Sequence, residues 1–535
     1  MLDGCIADAL HLLKARAGPP WLAALVLAAL PACGGEPAPP KLNVLLVSID
    51  TLRADHLGCY GNTAWGASPS PHIDGIAQEG VTLDAYLAPR GQTHPSLSAM
   101  ITGKYPITTG LRENGCDLLP HNRTLMQRLA GAGWHTGVFV ANFAVDDESD
   151  AWVWRGADVK GDGYHGRFRQ EAGKREGRFQ HEWDDRVEAE ALDFLKAQDG
   201  TRPFAAWVHF YDVHRPYNPP PGYDLYGQYE GQPEALRDPG LDGGPAVDEL
   251  VDAITLGDRP VPEAELRRIS GLYDGAITST DARVGRLLDV LQQKGMAQNT
   301  IVIITADHGD ELFEHNRYFY HGNSIYDGTL RIPLIVRAPG LPPGRHSAGL
   351  SQNVDLLPTL LELLGLPAAT DVEGVSLAGL LRGTTDVSPR KFAYIEWQDV
   401  IYCVTDGHWK YVHNPQHAWL LKEPWTPRAG EKATTGFKID CFEGYDLAQD
   451  PHEQKNILAG LPSAGLIRLE GLPPELRPLR EALDRWLAEP LHERAMSWPG
   501  YTEAQVNKLS QLGYTGGKGE GQQRGVLLRE PCADG

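Results

Sequence analysis

The sequence predicts an α/β fold with a mostly parallel sheet between helices, followed by a smaller antiparallel sheet. Short apolar, β-branched runs typical of buried strands occur at 43–49, 203–210 and 299–304. Helical periodicity separates the later strands, at 185–197 and 263–294. Strands that alternate with helices favour a parallel sheet, because each helix carries the chain back to the edge at which the previous strand began.

The first residues are typical of export and not of a packed fold. Two basic residues precede the apolar run from Trp21 to Leu30, which is too short to span a bilayer but suits a signal-peptide core. The residues through Cys33 resemble a bacterial lipobox, with ordinary signal cleavage as the alternative. We expect a signal peptide at 1–33, a linker at 34–41, and an exported periplasmic or cell-envelope lipoprotein. Its membrane contact would be through the lipid anchor only.

Length and net charge limit the functions and the number of domains that are expected for the rest of the chain. The sequence has 535 residues and a net charge of −21, so a nucleic-acid surface is not expected. After Gly383 the pattern changes to short alternating runs, at 392–397, 401–405 and 409–412, which favour an antiparallel sheet. We therefore expect a catalytic domain at 42–383, a small subdomain at 384–460 and a helical, Gly-rich tail at 461–535.

Carboxylates and an imidazole follow two of the predicted strands. Asp50 follows the run 43–49, and Asp307 and His308 follow the run 299–304. The carboxyl ends of neighbouring parallel strands are where ligands bind, so these side chains would form a divalent-metal site. The alternative for each Asp is a helix N-cap, since capping by Asp is common.

Thr93 is the candidate nucleophile. Pro95 suits the first turn of a helix, which places Thr93 at the helix N-terminus, where backbone N–H groups favour negative charge. A hydroxyl held there beside a cation would ionise far more easily than in water. A plain N-cap is the alternative role.

Taken together, these motifs resemble the sulfatase family of the alkaline-phosphatase-like superfamily. The resemblance extends over roughly 43–458 and is carried by the runs 50–61, 93–96, 102–106, 211–217, 307–311, 321–327 and 445–453. It implies an α/β/α sandwich followed by a smaller antiparallel sheet packed with a helix. It also implies that Asp50, Thr93, Asp307 and His308 are metal ligands.

The departures from the family pattern concern sulfate chemistry. Sulfatases of this family carry a Cys or Ser that becomes formylglycine, whereas Thr93 stands at that position and its Cβ methyl prevents the same aldehyde from forming. The Arg that follows in the family is Leu97 here, and no sulfate-binding lysine–histidine segment is evident after Trp134. The paired acids of the first metal motif are reduced to Asp50-Thr51. These changes resemble the phosphate-handling branches of the superfamily.

The sequence therefore predicts a metal-dependent hydrolase of sulfate or phosphate esters, with Thr93 favouring phosphate mono- or diesters. His214 and His321 would contact the ester oxygens or protonate the leaving group. Arg53 or Arg90 would add positive charge, with an ion pair at the surface or the core edge as the alternative for each. One divalent ion is expected (Ca, Mn or Zn, with a second left open), and the substrate would be a small-molecule, glycan or lipid ester. The alternatives are a genuine sulfuric ester hydrolase without formylglycine and a non-catalytic envelope binding module.

Cysteines give one structural expectation. Cys403 and Cys441 both lie in the predicted small subdomain, and they are the first pair to test for a disulfide.

Overall fold

A computed structural model provides the structure of the protein. It describes residues 41–114, 117–141, 152–162, 179–215, 217, 219–220, 222–223, 263–315, 318–322, 324–397, 401–414, 418–421, 436–438, 440–461, 466, 468–489 and 526–528. The predicted signal peptide and lipobox lie outside these residues, as does most of the predicted tail. The described residues from Leu42 onward belong to one compact unit.

The strands follow in chain order. They are β1 (Asn43–Ile49), β2 (Val81–Leu83), β3 (Tyr86–Leu87), β4 (His135–Val140), β5 (Val159–Asp162), β6 (Phe204–Phe210), β7 (Thr300–Ala306), β8 (Glu311–Leu312), β9 (Tyr318–Tyr320), β10 (Leu334–Arg337), β11 (Arg345–Ser347), β12 (Ser351–Gln352), β13 (Ala393–Trp397), β14 (Ile401–Thr405), β15 (Trp409–His413), β16 (Ala418–Leu421), β17 (Gly436–Lys438), β18 (Phe442–Asp446) and β19 (Val526–Leu528).

The α-helices lie between them. They are α1 (Pro71–Glu79), α2 (Thr93–Thr102), α3 (Pro106–Thr109), α4 (Leu125–Gly131), α5 (Phe179–Ala197), α6 (Glu263–Gln293), α7 (Asp327–Leu330), α8 (Leu356–Leu363), α9 (Ala378–Leu381) and α10 (Arg477–Leu487).

The central sheet has the strand order β11-β2-β10-β7-β1-β6-β4-β5. Only β10 runs against its neighbours, since it pairs antiparallel with both β2 and β7, while the other neighbours within this sheet pair parallel. Residues of β1, β6 and β7 are buried throughout, as expected for strands covered on both faces. Helix α5 packs against β4, β5 and β6, and α1 packs against β10. The predicted α/β/α sandwich is confirmed.

Register brings the functional ends of the strands together. Ile49 of β1 lies level with Ala306 of β7 on one side and with Phe210 of β6 on the other. Parallel strands that end at the same level present their following residues at one edge of the sheet. The expectation that Asp50 and Asp307 are neighbours is therefore correct, and β6 is the third strand at this edge.

The smaller sheet is antiparallel, in the order β13-β14-β15-β18. Helix α10 packs against β14 and β15 with its one apolar face, burying Leu479, Leu483 and Trp486. These side chains share a second core with Val404 and Tyr411 of the sheet. The predicted runs 392–397, 401–405 and 409–412 agree with β13, β14 and β15. Within the part of the chain that the structure describes, no helix is both long enough and apolar enough to cross a membrane.

The expected disulfide is wrong. Cys403 is a buried free thiol, whereas Cys441 is disulfide-bonded, so the two are not paired with each other. Cys403 lies inside β14, and burial raises the pKa of its thiol to about 12. Both cysteines lie in the region of the small sheet, but a disulfide also requires that the two side chains point towards each other at a short distance.

Candidate active site

Two fully buried carboxylates follow β1 and β7. Asp307 Oδ1 accepts backbone N–H groups from Thr51 at 3.2 Å and from His308 at 2.8 Å, which fixes the orientation of the carboxylate. Thr51 has a left-handed φ of 55°, an uncommon conformation for a β-branched residue. Its carbonyl accepts the hydroxyl of Tyr273 at 2.6 Å. Thr51 thus forms a strained turn that is held by its hydrogen bonds to Asp307 and Tyr273, and this turn places Asp50 beside Asp307.

Thr93 is the first residue of α2, at the predicted helix N-terminus. Its Oγ1 lies 3.3 Å from Nε2 of His308, and only 4% of the residue is exposed. His308 Nδ1 lies 2.9 Å from the carbonyl oxygen of Gly309, which can only accept a hydrogen bond. Nδ1 therefore carries the proton, and Nε2 presents its lone pair towards Thr93 and the carboxylates.

These side chains have the composition of a metal site. His308 Nε2 lies 3.9 Å from Asp50 Oδ1 and 3.4 Å from Asp307 Oδ2. Asp307 Oδ2 is buried and accepts no hydrogen bond among the described residues. One carboxylate oxygen of Asp50 and one of Asp307 lie within 4.8 Å of one another, and two buried carboxylates this close repel one another unless a cation lies between them. The donor set therefore fits a divalent ion.

His209 completes the cluster and was missed from the sequence. One atom each from Asp50, His209 and Asp307 lie within 4.8 Å of one another. His209 Nδ1 contacts Ser48 Oγ at 2.8 Å, and burial lowers the pKa of the imidazole to about 4. A neutral imidazole is the form that binds metals. A histidine inside an otherwise apolar strand was the available signal, but only the register of β6 against β1 shows where it points.

His321 lies against His308, and His214 lies against His321. The His321 ring stacks on that of His308 at 4.7 Å between centroids, and the His214 ring meets His321 edge-on at 4.8 Å. Burial holds the pKa of each of these two histidines well below its ordinary value. The structure thus brings together Asp50, Thr93, His214, Asp307, His308 and His321, and their roles as metal ligands or catalytic residues stay a prediction.

Asp310 and the backbone orient these two rings. His321 Nδ1 lies 3.3 Å from Asp310 Oδ1, and His214 Nδ1 donates to the carbonyl of Arg215 at 2.7 Å. The other carboxylate oxygen of Asp310 accepts the hydroxyl of Tyr217 at 2.5 Å. With Nδ1 engaged in each ring, Nε2 remains as the nitrogen that can exchange protons with a substrate.

The two arginines have other partners. Arg53 forms ion pairs with Asp55 at 2.7 Å and Glu314 at 2.6 Å. Arg90 is fully buried, donates to Gln92 Oε1 at 2.7 Å and stacks on Trp397. Both guanidinium groups therefore brace loops around the site, and contact with substrate stays a prediction.

An α/β/α sandwich whose strand ends gather carboxylates, imidazoles and a helix-borne hydroxyl defines a hydrolase of the alkaline-phosphatase-like class. The chain belongs to the sulfatase family, whose model matches residues 42–366.

Several known proteins are similar over most of the chain. An N-acetylglucosamine-6-O-sulfatase of Bacteroides thetaiotaomicron is 25% identical over 480 residues, covering 78% of this chain and 82% of the relative. The multifunctional alkaline phosphatase superfamily protein PehA of Trinickia caryophylli is 25% identical over 510 residues, covering 80% and 93%. A phosphonate monoester hydrolase structure from Agrobacterium radiobacter superposes with a TM-score of 0.60 at 20% identity, covering 92% of this chain and 100% of that one.

Proposed function

We propose that this sulfatase-family enzyme hydrolyses phosphate mono- or diesters with Thr93 as its nucleophile. The observation that carries the proposal is the 3.3 Å contact between Thr93 Oγ1 and His308 Nε2, beside the buried Asp50 and Asp307. The hydroxyl is at the N-terminus of α2, where the backbone favours negative charge.

Asp50, Asp307, His308 and His209, with Thr93 Oγ1, are the side chains that would hold a divalent ion. Such an ion would lower the pKa of the Thr93 hydroxyl and neutralise the ester anion. It would bring positive charge to an anionic substrate in a chain whose net charge is −21.

Thr93 and the two histidines would carry out the steps of the reaction. Thr93 Oγ1 passes its proton to Nε2 of His321 or His214 and forms a bond to phosphorus as the bond to the leaving-group oxygen breaks. In each neutral ring Nδ1 carries the proton, so Nε2 first takes up the proton from Thr93 and then passes it to that oxygen. Water then attacks the phosphorus of the Thr93 ester, and cleavage of the P–Oγ1 bond restores the hydroxyl.

The preference for phosphate follows from two residues of α2. Thr93 cannot become the aldehyde used by formylglycine sulfatases, so its ester must be cleaved by water. Leu97, which stands where the family has an arginine, is fully buried in the core and adds no charge near Thr93.

A sulfuric ester hydrolase that works without formylglycine is the second candidate. The relative named as an N-acetylglucosamine-6-O-sulfatase favours it, with a sulfated sugar as the substrate class. Comparing kcat/KM for an aryl phosphate, a bis-aryl phosphodiester, an aryl sulfate and a sulfated glucosamine separates the two candidates.

Thr93→Ala tests the nucleophile. We expect turnover of all these esters to fall by several orders of magnitude with metal content unchanged or reduced, and Thr93→Ser to retain measurable activity. Mass spectrometry of acid-quenched wild-type enzyme should find the phosphoryl group on Thr93. Thr102→Ala, the same change at the other end of α2, is the matched control. Unchanged turnover in Thr93→Ala would remove Thr93 as the nucleophile.

We also propose export and lipid anchoring at Cys33, supported by the apolar run before it. Release of Cys33→Ala protein from the membrane fraction of a bacterial host would support the anchor, and an unchanged distribution would contradict it.

A further inference from the structure

The described residues 315, 318–322 and 324–327, here called the His321 loop, include β9, and their first and last residues contact the small sheet or the turn that follows it. Glu453, in the turn after β18, contacts both ends. It is 2% exposed and has a left-handed φ of 54°, which is uncommon for a residue with a side chain. A strained backbone that persists in this position indicates that its contacts are strong enough to hold it there.

The second end of the loop is bound to the Glu453 carboxylate. Oε2 of Glu453 accepts the backbone N–H of Asp327 at 2.6 Å, while Oε1 forms an ion pair with Lys410 of β15. Lys410 Nζ also lies 3.4 Å from Asp327 Oδ1. Burial alone would lower the pKa of Lys410, but the Glu453 carboxylate raises it overall, so the lysine remains charged in this buried cluster.

The first end of the loop is bound to the Glu453 backbone. His315 Nε2 donates to the carbonyl of Glu453 at 3.2 Å, and Nδ1 lies 3.2 Å from the carboxylate of Glu311. The His315 ring stacks on Tyr326 with 4.0 Å between centroids, which joins the two ends to one another. The hydroxyl of Tyr326 in turn donates to Glu443 of β18 at 3.0 Å.

Between these ends lies His321, in contact with the catalytic cluster through His308 and Asp310. We propose that Glu453 is a positioning residue: by holding both ends of the His321 loop, it sets where His321 meets the ester leaving group. This inference rests on the proposed function. A misplacement of about 1 Å in a proton donor can cost on the order of 10²-fold in rate.

Glu453→Gln tests the proposal, because the amide can still accept the Asp327 N–H but no longer pairs with Lys410. We expect kcat for alkyl phosphate esters, whose leaving groups need a proton, to fall on the order of 10²-fold. For 4-nitrophenyl esters, whose leaving group is stable as an anion, kcat should fall much less. In a His321→Ala background, Glu453→Gln should add no further loss, because both changes remove the same contribution.

Two further variants guard against a simple folding defect. Tyr326→Phe removes one hydrogen bond from the same anchor and should give the same leaving-group pattern, more weakly. Asp281→Asn is the matched control, since Asp281 is another buried carboxylate that accepts backbone N–H groups, from His72 and Ile73 at the start of α1. It should lower the melting temperature without changing the leaving-group dependence.

The outcomes separate the two proposals. Equal losses for both leaving-group classes, or losses that add to those of His321→Ala, would overturn the positioning role of Glu453. Unaltered turnover in His321→Ala would instead overturn the proposed role of His321 itself.

Discussion

Nε2 of His209 lies 3.6 Å from Oδ2 of Asp50, with both side chains fully buried. No described residue forms a hydrogen bond with that nitrogen. In this family pattern a second acid follows the first, whereas here Thr51 follows Asp50. We propose that His209 Nε2 is a further ligand of the metal site.

His209→Asn should therefore weaken metal binding. We expect the affinity for Mn²⁺ or Zn²⁺ to fall by about 10- to 100-fold, the range for losing a metal-ordering partner, and Ca²⁺ to compete better once a nitrogen donor is lost. Titration of the metal-stripped protein against a competing chelator measures both effects. His135→Asn on β4 is the control, since His135 contacts Gln198 and not the cluster. Equal affinities in wild type and His209→Asn would make His209 a buried polar residue only.

Gly309→Ala should damage the same edge of the sheet. A Cβ at Gly309 would lie 2.3 Å from the backbone oxygen of Gly328, which has no flexible side chain to move away. We expect a loss of about 1–3 kcal/mol in unfolding free energy, as for other overpacked sites, together with weaker metal binding. Denaturant unfolding measures the first. Gly75→Ala in α1 meets nothing within 4 Å and should instead gain up to about 1 kcal/mol.

His413 should make the small sheet sensitive to acid. Burial lowers the pKa of His413 to about 4, while in the unfolded chain it titrates near 6.5. As pH falls from about 6.5 to 4, the unfolded state takes up a proton that the folded state refuses, so stability declines over that window and is unaffected above it. His413→Phe keeps an aromatic ring against Phe442 but has no imidazole to titrate. Its stability should therefore fall less than that of the wild type when the pH is lowered.

Melting temperatures from pH 7.5 to 4.5 test this. His452→Phe changes an exposed histidine beyond the small sheet and should follow the wild-type curve. Parallel curves for wild type and His413→Phe would contradict the prediction.

The sequence was sufficient for the parts of the site that follow directly from strands. Asp50 and Asp307 end apolar runs, and parallel pairing brings such ends to one edge, so their meeting needed no knowledge of side-chain packing. The small sheet was predictable for a similar reason, since alternation with period two is a local property. The same holds for Thr93, whose place at a helix N-terminus follows from Pro95.

Contacts between segments that are distant along the chain could not be predicted from the sequence. His209 is level with Ser48 only in the register of β6 against β1. The family-like run 445–453 includes Glu453, but nothing in the sequence marks Lys410 as its partner. The two meet because β15 pairs with β18, and Glu453 lies in the turn that follows β18. The disulfide expectation failed for the same reason, because the direction of a cysteine side chain depends on tertiary packing.

The anchor at Glu453 lies beyond residue 366, where the match to the family model ends. A protein shortened to the matching region would keep every predicted catalytic side chain and still lose the support of the His321 loop. Engineers who exchange substrate range between relatives would therefore need to transplant this loop and its C-terminal partner strands as a single cassette.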